Sequence, residues 1–404
     1  MPFEVPEGWE WQKLGDIGAW QSGATPNRLN KEYYGGDIPW LKTGDLNDGY
    51  IYEIPETITQ KALEETSVKL NPAGSVLIAM YGATIGKVGI LTFPATTNQA
   101  CCACVDYQGI DQLYLFYFLL SHKEEFIMLG GGGAQPNISK EKIVDTYVPV
   151  PPLLEQKRIV NAIEQWFNLI DSLETAKENL QTSIMQAKSK ILDLAIHGKL
   201  VPQDPHDEPA IELLKRINPK FTPCDNAHYP FDVPNNWIWA KGLDIFKPMK
   251  KTSPLGETFK YIDIDAIDNK RNVITSVKVL NSKQAPSRAS RYTEKGCVLF
   301  SMVRPYLRNI AMVTEDDCIA STGFFVCHGE DCLLPKFCYF QMLSNYVVDG
   351  LNDFMKGDNS PSITKTQIEE YIFPLPPINE QKRIVAKIEE LFTILDEIQK
   401  SIEV

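Results

Sequence analysis

Two short motifs resemble catalytic sequences, but neither has the spacing that the chemistry requires. In the first, residues 82–87 (Gly-Ala-Thr-Ile-Gly-Lys) resemble a phosphate-binding loop. In such loops the glycines stand one residue further apart, and a Ser or Thr that binds magnesium follows the lysine. Val88 occupies that position here. The sequence therefore predicts that this loop does not bind ATP.

The second motif, Glu155-Gln-Lys157 with Asp145 upstream, resembles the acids and lysine of a metal-dependent nuclease. Metal-assisted cleavage of a phosphodiester requires carboxylates that converge on one ion. Glu155 and Lys157 are two positions apart on a predicted helix, so their side chains point to different sides of it. An acid at a helix start is better explained by the positive end of the helix dipole. We therefore expect no catalytic centre. If the chain is an enzyme, the alternative is a metal-dependent nuclease that acts without partner subunits.

The nine cysteines of the chain include no Cys-x-x-Cys pair. A zinc site would need paired ligands at such a spacing. We interpret the thiols as reduced and half-buried, and we predict no metal site. The two closest groupings are Cys101, Cys102 and Cys104, and Cys327, His328 and Cys332.

Polar side chains that can bind base edges stand at matched places in the two halves of the chain. Arg can read guanine, and Asn or Gln can read adenine, through paired hydrogen bonds. Each residue alone could be an ordinary loop residue. The candidate DNA-binding residues of the first half are Thr25, Asn27, Lys42, Tyr81, Thr84, Lys87, Asn98, Gln99, Gln135 and Asn137. Those of the second half are Lys250, Lys251, Ser253, Arg271, Arg288, Arg291, Arg304, Tyr306, Arg308, Ser321, Thr322, Asn359 and Ser362.

Charge is distributed unevenly along the chain. The net charge of −12 argues against nucleic acid, because Lys and Arg supply most non-specific DNA affinity. Residues 241–312, however, contain 14 Lys/Arg against 6 Asp/Glu, whereas residues 1–150 contain 10 against 18. The basic window includes the Arg304-Pro-Tyr-Leu-Arg308 cluster, for which we predict phosphate contacts, with a solvated surface as the alternative.

The chain contains an internal repeat. Residues 151–160 (PPLLEQKRIV) and 376–385 (PPINEQKRIV) are identical at eight of ten positions, at an offset of 225. Val5-Pro6 with Trp9 matches Val233-Pro234 with Trp237 at an offset of 228, and residues 74–80 match residues 296–302 at 222. Because the offsets drift so little, the two halves share a fold and differ by small loop insertions.

After each half, apolar residues recur at alternating steps of four and three positions, interrupted by Lys177. This period of about 3.5 residues predicts a coiled-coil seam. A helix packed only on its own domain would explain a stripe, but not the same phase after both halves. The predicted seam residues are Ile159, Ile163, Trp166, Ile170, Leu173, Leu180, Ile184, Ile191, Ile384, Ile388, Leu391, Leu395, Ile398 and Ile402.

Within each half the pattern predicts an α/β fold with a mixed sheet. Residues 76–80 and 298–302 are short apolar runs typical of buried strands, and residues 113–121 and 337–344 are aromatic-rich and helical in pattern. Hydrophobic residues at 44% and charged residues at 23% are typical of a globular protein. The chain has neither a membrane-spanning apolar run nor a signal-type N-terminus, so we expect a cytoplasmic protein.

On these motifs the chain resembles the specificity subunits of type I restriction-modification systems over nearly its whole length. The resemblance lies in Val5-Pro6-Glu7-Gly8-Trp9, in residues 81–89 (YGATIGKVG), in the two EQKRIV junctions, and in residues 191–204 (ILDLAIHGKLVPQD) with Asp207-Glu208-Pro209. Two features depart from it. The second helix is shorter than the first, and Arg304-Pro-Tyr stands where the first half has Gly82-Ala-Thr. Individual base contacts therefore cannot be transferred.

The resemblance implies two target-recognition domains, residues 1–154 and 230–378, each reading one half of a split DNA target. Spacer helices at 155–200 and 379–404 would form an antiparallel coiled coil of pseudo-twofold symmetry. A linker with a short helix, residues 201–229, would connect the first spacer helix to the second domain. It also implies a non-catalytic DNA-binding subunit that assembles with two methyltransferase (M) subunits and with restriction/translocase (R) subunits. Those partners would bind S-adenosylmethionine, ATP and Mg²⁺, and this chain none. The alternative outside the enzymes is a coiled-coil adaptor that binds only protein.

Overall fold

The structure is a computed structural model that describes residues 3–131, 137–223 and 229–402. The chain divides into two compact units, Met1–Glu174 and Thr175–Val404, and the division falls inside one long helix. Each unit is a mixed α/β structure, which confirms the predicted fold class. Among the described helices, none is both long and apolar enough to cross a lipid bilayer.

In the part of unit 1 that the structure describes, three sheets have helices around them. Its strands are β1 (Glu10–Lys13), β2 (Gly18–Ser22), β3 (Tyr34–Leu41), β4 (Gly49–Ile51), β5 (Thr57–Ile58), β6 (Leu70–Asn71), β7 (Val76–Ala79), β8 (Val88–Leu91), β9 (Ala95–Thr97), β10 (Cys101–Tyr107) and β11 (Tyr147–Val150). Its helices are α1 (Gln60–Glu65), α2 (Gln112–Ser121), α3 (Lys123–Leu129), α4 (Lys140–Val144) and the start of α5 (Leu153–Ile196). The sheet orders are β2-β10-β7-β8-β4, β5-β3-β9-β6 and β1-β11.

Strand β7 lies at the centre of unit 1, and all four of its residues are buried. Because successive side chains of a strand point to opposite faces, they enter two different cores. Val76 and Ile78 pack in the core that contains Leu115 of α2, and Leu77 packs in the core that contains Leu41. A strand covered on both faces requires a continuous apolar run, as the sequence shows.

Unit 2 repeats this plan. After the end of α5, its helices are α6 (Ala210–Ile217), α7 (Gly242–Ile245), α8 (Pro335–Leu343), α9 (Asn345–Asn352), α10 (Lys365–Glu370) and α11 (Ile378–Ser401). Its strands are β12 (Ile238–Lys241), β13 (Thr258–Ile262), β14 (Ile267–Asp268), β15 (Val273–Ile274), β16 (Lys278–Asn281), β17 (Ala289–Tyr292), β18 (Val298–Ser301), β19 (Ile310–Met312), β20 (Cys318–Ser321), β21 (Phe324–Cys327) and β22 (Ile372–Leu375). The sheet orders are β12-β22, β16-β13-β20-β17, β14-β15 and β19-β18-β21.

The repeat in the sequence is therefore a repeat of the fold. Strand β18, like β7, places alternate residues in two cores, with Phe300 in one and Leu299 in the other. Strand β3 pairs in parallel with β9, and β13 pairs in parallel with β20. The first strand of each repeat, β1 or β12, pairs antiparallel with the strand that precedes the long helix, β11 or β22.

A fully buried glutamine, Gln156, fastens the start of α5 to unit 1. Its side-chain oxygen accepts a hydrogen bond of 2.6 Å from the backbone N–H of Asp111. Its amide nitrogen donates to the carbonyl oxygens of Gly109 at 2.9 Å and Pro151 at 2.8 Å. The loop before α2 is thereby fixed to the long helix.

Gln381 forms the same clamp at the start of α11 in unit 2. It accepts a hydrogen bond of 2.9 Å from the backbone N–H of Leu334. It donates to the carbonyl oxygens of Cys332 at 2.7 Å and Pro376 at 3.0 Å. The glutamine of the repeated Glu-Gln-Lys-Arg motif thus has a structural role, which sequence reasoning did not identify.

The apolar seam is buried only toward the C-terminal end of α5 and the N-terminal end of α11. Ile184, Ile384 and Ile388 are buried. Helix α11 has 24 residues against 44 in α5, so it is too short to cover the whole seam. Five seam residues are exposed in the structure, so their packing in a coiled coil stays a prediction: Trp166, Ile170, Leu173, Leu180 and Ile398. After Ile196, Gly198 adopts a left-handed φ of 68°, as expected of a helix cap.

Within unit 2 the contacts between the end of α5 and α11 run antiparallel, as predicted. Lys188 of α5 pairs with Asp396 near the end of α11. Gln203, beyond the end of α5, bonds to Glu380 at the start of α11. Chain direction along the two segments is therefore opposite.

Candidate nucleic-acid interface

In unit 1 the loop after β2 lies against the loop after β9. The backbone N–H of Ala24 donates to the carbonyl oxygen of Thr97 at 3.0 Å. The hydroxyl of Thr25 donates to the side-chain oxygen of Gln99. The side-chain oxygen of Asn98 is shielded from solvent and has no partner within the described residues. Three of the predicted DNA-binding residues are therefore neighbours.

The loop after β7 and the segment before α4 adjoin these two loops. Met80 donates a backbone hydrogen bond of 2.7 Å to Ala100 and accepts one of 2.8 Å from Ile138. Tyr81 and Asn137 form an isolated β-bridge. We call these four segments, residues 24–28, 81–87, 97–100 and 137–138, the unit 1 loop surface.

Arg28, which sequence reasoning missed, is held on an aromatic platform beside this surface. Its guanidinium carbon lies 4.9 Å from the ring centroid of Trp40 and 5.3 Å from that of Tyr34. A guanidinium nitrogen of Arg28 lies 3.7 Å from the carboxylate of Glu56, which also pairs with the predicted contact Lys42. Such cation–π contacts orient a guanidinium. The partners of Arg28 are distant in sequence, so only the neighbouring polar loop residues could have suggested it.

The turn that resembles a phosphate loop has a different geometry. The 3₁₀ turn Gly82–Thr84 leads into strand β8, whereas phosphate loops lead into a helix N-terminus. The Thr84 hydroxyl donates to the carbonyl oxygen of Tyr81 at 2.9 Å, and the Lys87 ammonium donates to that of Leu46 at 3.4 Å. Both predicted DNA-binding side chains therefore hold the turn in shape.

In unit 2 four cations cluster along β17 and the segment before β13. Lys250 lies 5.8 Å from the ring centroid of Tyr292, and Lys251 forms a β-bridge with Arg291. Burial lowers the pKa of the Arg291 guanidinium, whose Nε is shielded and lacks a partner in the part of the chain that the structure describes. Arg288, the fourth cation, stands next to them.

Arg288 joins this patch to the loops after β20 and β18. Its guanidinium pairs with Asp263 at 2.7 Å, and its carbonyl oxygen accepts a hydrogen bond of 2.8 Å from Thr322. The adjacent Gly323 accepts one of 2.8 Å from Met302. The loops after β18 and β20 therefore meet in unit 2, as the loops after β7 and β9 meet in unit 1.

Arg304 connects the turn after β18 to the segment before α10. Its backbone N–H donates to the carbonyl oxygen of Pro361 at 2.8 Å, and its guanidinium donates to that of Asn359 at 2.9 Å. Val303 and Ser362 form an isolated β-bridge. We call the segments 250–253, 288–291, 303–308, 321–323 and 359–362 the unit 2 loop surface.

Arg308, a predicted phosphate contact, makes several contacts inside unit 2. Its guanidinium donates to the carbonyl oxygen of Leu343 at 2.9 Å and to the side-chain oxygen of Asn345 at 2.6 Å. Asp349 lies 3.6 Å away. Because α8 ends at Leu343 and α9 begins at Asn345, Arg308 holds the junction of the two helices.

Two further candidate residues have side chains that make hydrogen bonds within the chain. Ser321 is only 1% exposed, and its hydroxyl accepts from the backbone N–H of Gly323 at 3.4 Å. The side chain of Asn27 accepts from the backbone N–H of Leu29 at 3.0 Å and so closes a local turn. Gln135 lies outside the described residues. The exposed candidates of unit 2 are Lys250, Lys251, Ser253, Arg271, Arg288, Arg304, Tyr306, Thr322 and Asn359.

The cysteines and Asp145, the acid of the nuclease-like motif, lie in environments that do not suit catalysis. Burial raises the pKa of Cys102, Cys104 and Cys332 to about 12, so these thiols stay protonated and are poor ligands and nucleophiles. Asp145 pairs with Lys13 at 2.8 Å. Among residues 3–131, 137–223 and 229–402, no cluster of His, Cys, Asp and Glu is placed to hold a metal ion.

Taken together, the two loop surfaces present amides, hydroxyls, aromatic rings and guanidinium groups on exposed loops. These groups suit hydrogen bonding to base edges and ion pairing with phosphates. The second surface has the higher density of cations, in agreement with the basic window at residues 241–312.

Comparisons with known proteins agree with this arrangement. The family model described as type I restriction modification DNA specificity domain matches residues 6–182 and 246–404. The chain is 24% identical to the MjaIX specificity subunit of Methanocaldococcus jannaschii, over 99% of this chain and 90% of that protein. It is 22% identical to the EcoAI specificity subunit of Escherichia coli, over 96% of this chain and 78% of that protein.

Among solved structures, the HsdS subunit of Thermoanaerobacter tengcongensis has a similar fold. The TM-score is 0.64 at 17% sequence identity, over 99% of this chain and 93% of that one. The family model alone covers well over half of the chain, in both repeats. The chain therefore belongs to the DNA specificity subunits of type I restriction-modification systems.

Proposed function

We propose that the chain reads a two-part DNA target as the non-catalytic subunit of its complex. The observation that carries this proposal is one loop surface built twice, in two units, with different side chains. Each unit can then read a short block of bases with its own amides, hydroxyls and guanidinium groups. Two such blocks separated by bases that are not read are the expected target.

The two surfaces have different parts in this proposal. Lys250, Lys251, Arg288 and Arg291 make the unit 2 loop surface suited to phosphates. Unit 1, whose sequence is acidic overall, offers the oriented Arg28 and a set of neutral polar groups. Because phosphate contacts supply affinity and base contacts supply specificity, unit 2 would contribute more of the salt-dependent binding.

Catalysis is assigned to partners. Two methyltransferase (M) subunits and restriction/translocase (R) subunits would bind S-adenosylmethionine, ATP and Mg²⁺, and this chain none of them. The engaged Asp145, the buried thiols and the strand after the Gly82–Thr84 turn support this division of roles. The whole assembly would act on double-stranded DNA in the cytoplasm.

Purified chain, assayed alone and with its M subunits, tests this proposal. We expect no cleavage or methylation of duplex DNA by the chain alone with Mg²⁺ and S-adenosylmethionine, and site-specific methylation once the M subunits are added. M subunits without the chain are the control. Metal-dependent cleavage by the chain alone would favour the nuclease alternative, and failure to bind any duplex with M subunits present would favour the adaptor.

Helix α5 is proposed to set the distance between the two blocks. Inserting four residues after the exposed Lys177 adds about 6 Å of helix, close to two base pairs of DNA. We expect the methylated motif to keep both blocks and gain spacer bases. A two-residue insertion should disrupt the complex, because it turns the apolar stripe out of phase. An unchanged spacer in an intact complex would contradict the assignment.

A further inference from the structure

The start of α11 is covered in unit 2 by a defined segment, residues 184–209. Leu192 and Ala195 of this segment pack in one core with Ile384 and Ile388 of α11. Both isoleucines are fully buried. The apolar part of the contact thus joins the last turns of α5 to the first turns of α11.

Two ion pairs of opposite orientation mark the ends of this contact. Lys188 of the segment pairs with Asp396 of α11. Asp207 of the segment pairs with Arg383 of α11 at 2.6 Å. The segment gives a cation at one end and an anion at the other, so its direction on α11 is specified by charge.

A buried polar group on the N-terminal side of Arg383 adds to the contact. The carboxylate of Glu380 accepts a hydrogen bond of 2.9 Å from the indole N–H of Trp237. It also accepts a hydrogen bond from the side chain of Gln203, which belongs to the covering segment. Glu380 is fully buried in this arrangement.

Unit 1 contains the same receiving residues, which are exposed or half-buried and are not covered by a segment like 184–209 within the described residues. Each stands 225 positions before its counterpart on α11, except Trp9, which stands 228 before Trp237. We call this set the open face: Trp9, Glu155, Arg158, Ile163, Phe167 and Asp171.

Several residues of the open face lack the contacts that their counterparts make in unit 2. Arg158 and Asp171 are exposed and form no ion pair within the described residues, and Phe167 is 48% exposed. The indole N–H of Trp9 is shielded from solvent and has no hydrogen-bond partner in the described part of the chain. Gln156 is as buried as Gln381, so the difference is confined to the face that the segment covers in unit 2.

We infer that the open face is a docking site for a polypeptide segment with the chemistry of residues 184–209. This partner segment is a helix with an apolar seam and a lysine that pairs with Asp171. A turn follows the helix, and then an acid that pairs with Arg158. The molecule itself displays this complementarity, since unit 2 shows the same receiving residues filled.

A second copy of this chain does not fit the site as well. Residues 184–209 of another copy are held in its own unit 2 by the core around Leu192 and Ala195 and by two ion pairs. Releasing them would expose that core. The partner segment therefore comes from a different source than a folded second copy.

A labelled synthetic peptide with the sequence of residues 184–209, added to the full chain, tests this inference. We expect saturable one-to-one binding by fluorescence anisotropy. Hydrogen exchange should show new protection over residues 159–171 of α5. Protection confined to α11 would mean that the peptide exchanges into unit 2, and it would overturn the inference.

Charge reversals give the decisive control. Arg158→Glu should weaken peptide binding at least about tenfold, and a peptide with Asp207→Lys should restore it. Lys157→Glu is the matched control, because Lys157 is exposed on the same turn but its counterpart Lys382 makes no contact with the segment. Both variants should keep the thermal stability of the parent chain, since neither residue has an ion pair within the described residues.

Three outcomes would contradict the inference. The first is no binding of the peptide. The second is binding that Arg158→Glu and Lys157→Glu weaken equally. The third is a dimer in sedimentation that Phe167→Glu dissociates, because the open face would then be covered by a second copy.

Discussion

One turn in each unit contains two residues with left-handed backbone, but the residue types at these positions differ between the units. In unit 1 the turn after β7 lies between Gly82 and Gly86, with φ of 65° and 75°. In unit 2 the turn after β18 lies between Arg304 and Arg308, with φ of 48° and 55°. Left-handed backbone costs a residue with a Cβ about 1–2 kcal/mol. Unit 2 therefore retains strained residues where glycine would relax the backbone, which indicates that the two guanidinium groups have a use.

The uses of these side chains differ. Arg308 holds the junction of α8 and α9 through Leu343 and Asn345. At the same place in unit 1, a Cβ on Gly86 would lie 2.9 Å from Lys123 Cγ, because the start of α3 packs directly against the turn. The backbone of the turn thus belongs to the shared fold, whereas its side chains are free to differ between units.

The largest expected effect concerns the part that the units share. Gln156→Ala and Gln381→Ala should each lower the free energy of unfolding by about 3 kcal/mol, because each leaves buried backbone groups unpaired. Thermal and denaturant unfolding of both variants measures this, with the exposed Gln165→Ala as control. A loss in only one variant would show that the two clamps are not equivalent.

Arg308→Ala and Arg304→Ala should separate stability from binding. Removing Arg308 should lower the free energy of unfolding by about 2 kcal/mol, since it deletes hydrogen bonds from a charged group. Removing the exposed Arg304 should leave stability nearly unchanged. It should reduce the slope of log affinity against log salt by about one unit for each phosphate that the guanidinium neutralises. Denaturation curves and DNA titrations over a salt series distinguish them. Equal effects of the two variants on stability would refute the division of roles.

A smaller effect tests the strain at the left-handed pair. Gly82→Ala should destabilise the chain by about 1 kcal/mol through the backbone alone, because a Cβ there meets no atom within 4 Å. In unit 2, Arg304→Gly should be more stable than Arg304→Ala by about the same amount. Both pairs are compared by denaturant unfolding. If Gly and Ala are equivalent at either position, the left-handed geometry is not maintained there.

The smallest expected effect is a pH dependence of stability. It distinguishes the start of α11, which residues 184–209 cover, from the start of α5. Burial raises the pKa of the Glu380 carboxyl above 4.5, so the ionised form is disfavoured in the folded state. The free energy of unfolding therefore decreases as the pH rises from the pKa of Glu380 in the unfolded chain to its higher pKa in the folded chain. Glu380→Gln should therefore gain stability over the parent chain above this window and lose the advantage below it. Glu155→Gln, at the open start of α5, is the matched control in thermal unfolding, and the same pH dependence in both variants would contradict the distinction.

Much of the fold could be predicted because it depends on local pattern. The continuous apolar runs of β7 and β18 follow from burial on both faces, and the junction repeat predicted the doubling of the units. The 3.5-residue period located the seam but not its burial, since burial depends on the length of the partner helix. Trp166 and Leu173 have the right phase but are exposed in unit 1.

The candidate interface was harder to predict, because its side chains are held by residues distant in sequence. Arg28 depends on Trp40 and Glu56, which only the folded sheet brings close. Arg308 has the composition of a phosphate contact, and its role at the α8–α9 junction appears only with Leu343 in place. The DNA-binding roles of all the candidates stay predictions.

Exchange of one reading unit tests the central claim most directly. Residues 1–150 are replaced by the matching residues of a relative with a different target, and the chimaera is expressed with its M subunits. Genome-wide methylation is then mapped by long-read sequencing. We predict that one block of the methylated motif changes while the other block and the spacer stay as they were. A motif in which both blocks change together would contradict the account of two independent reading surfaces.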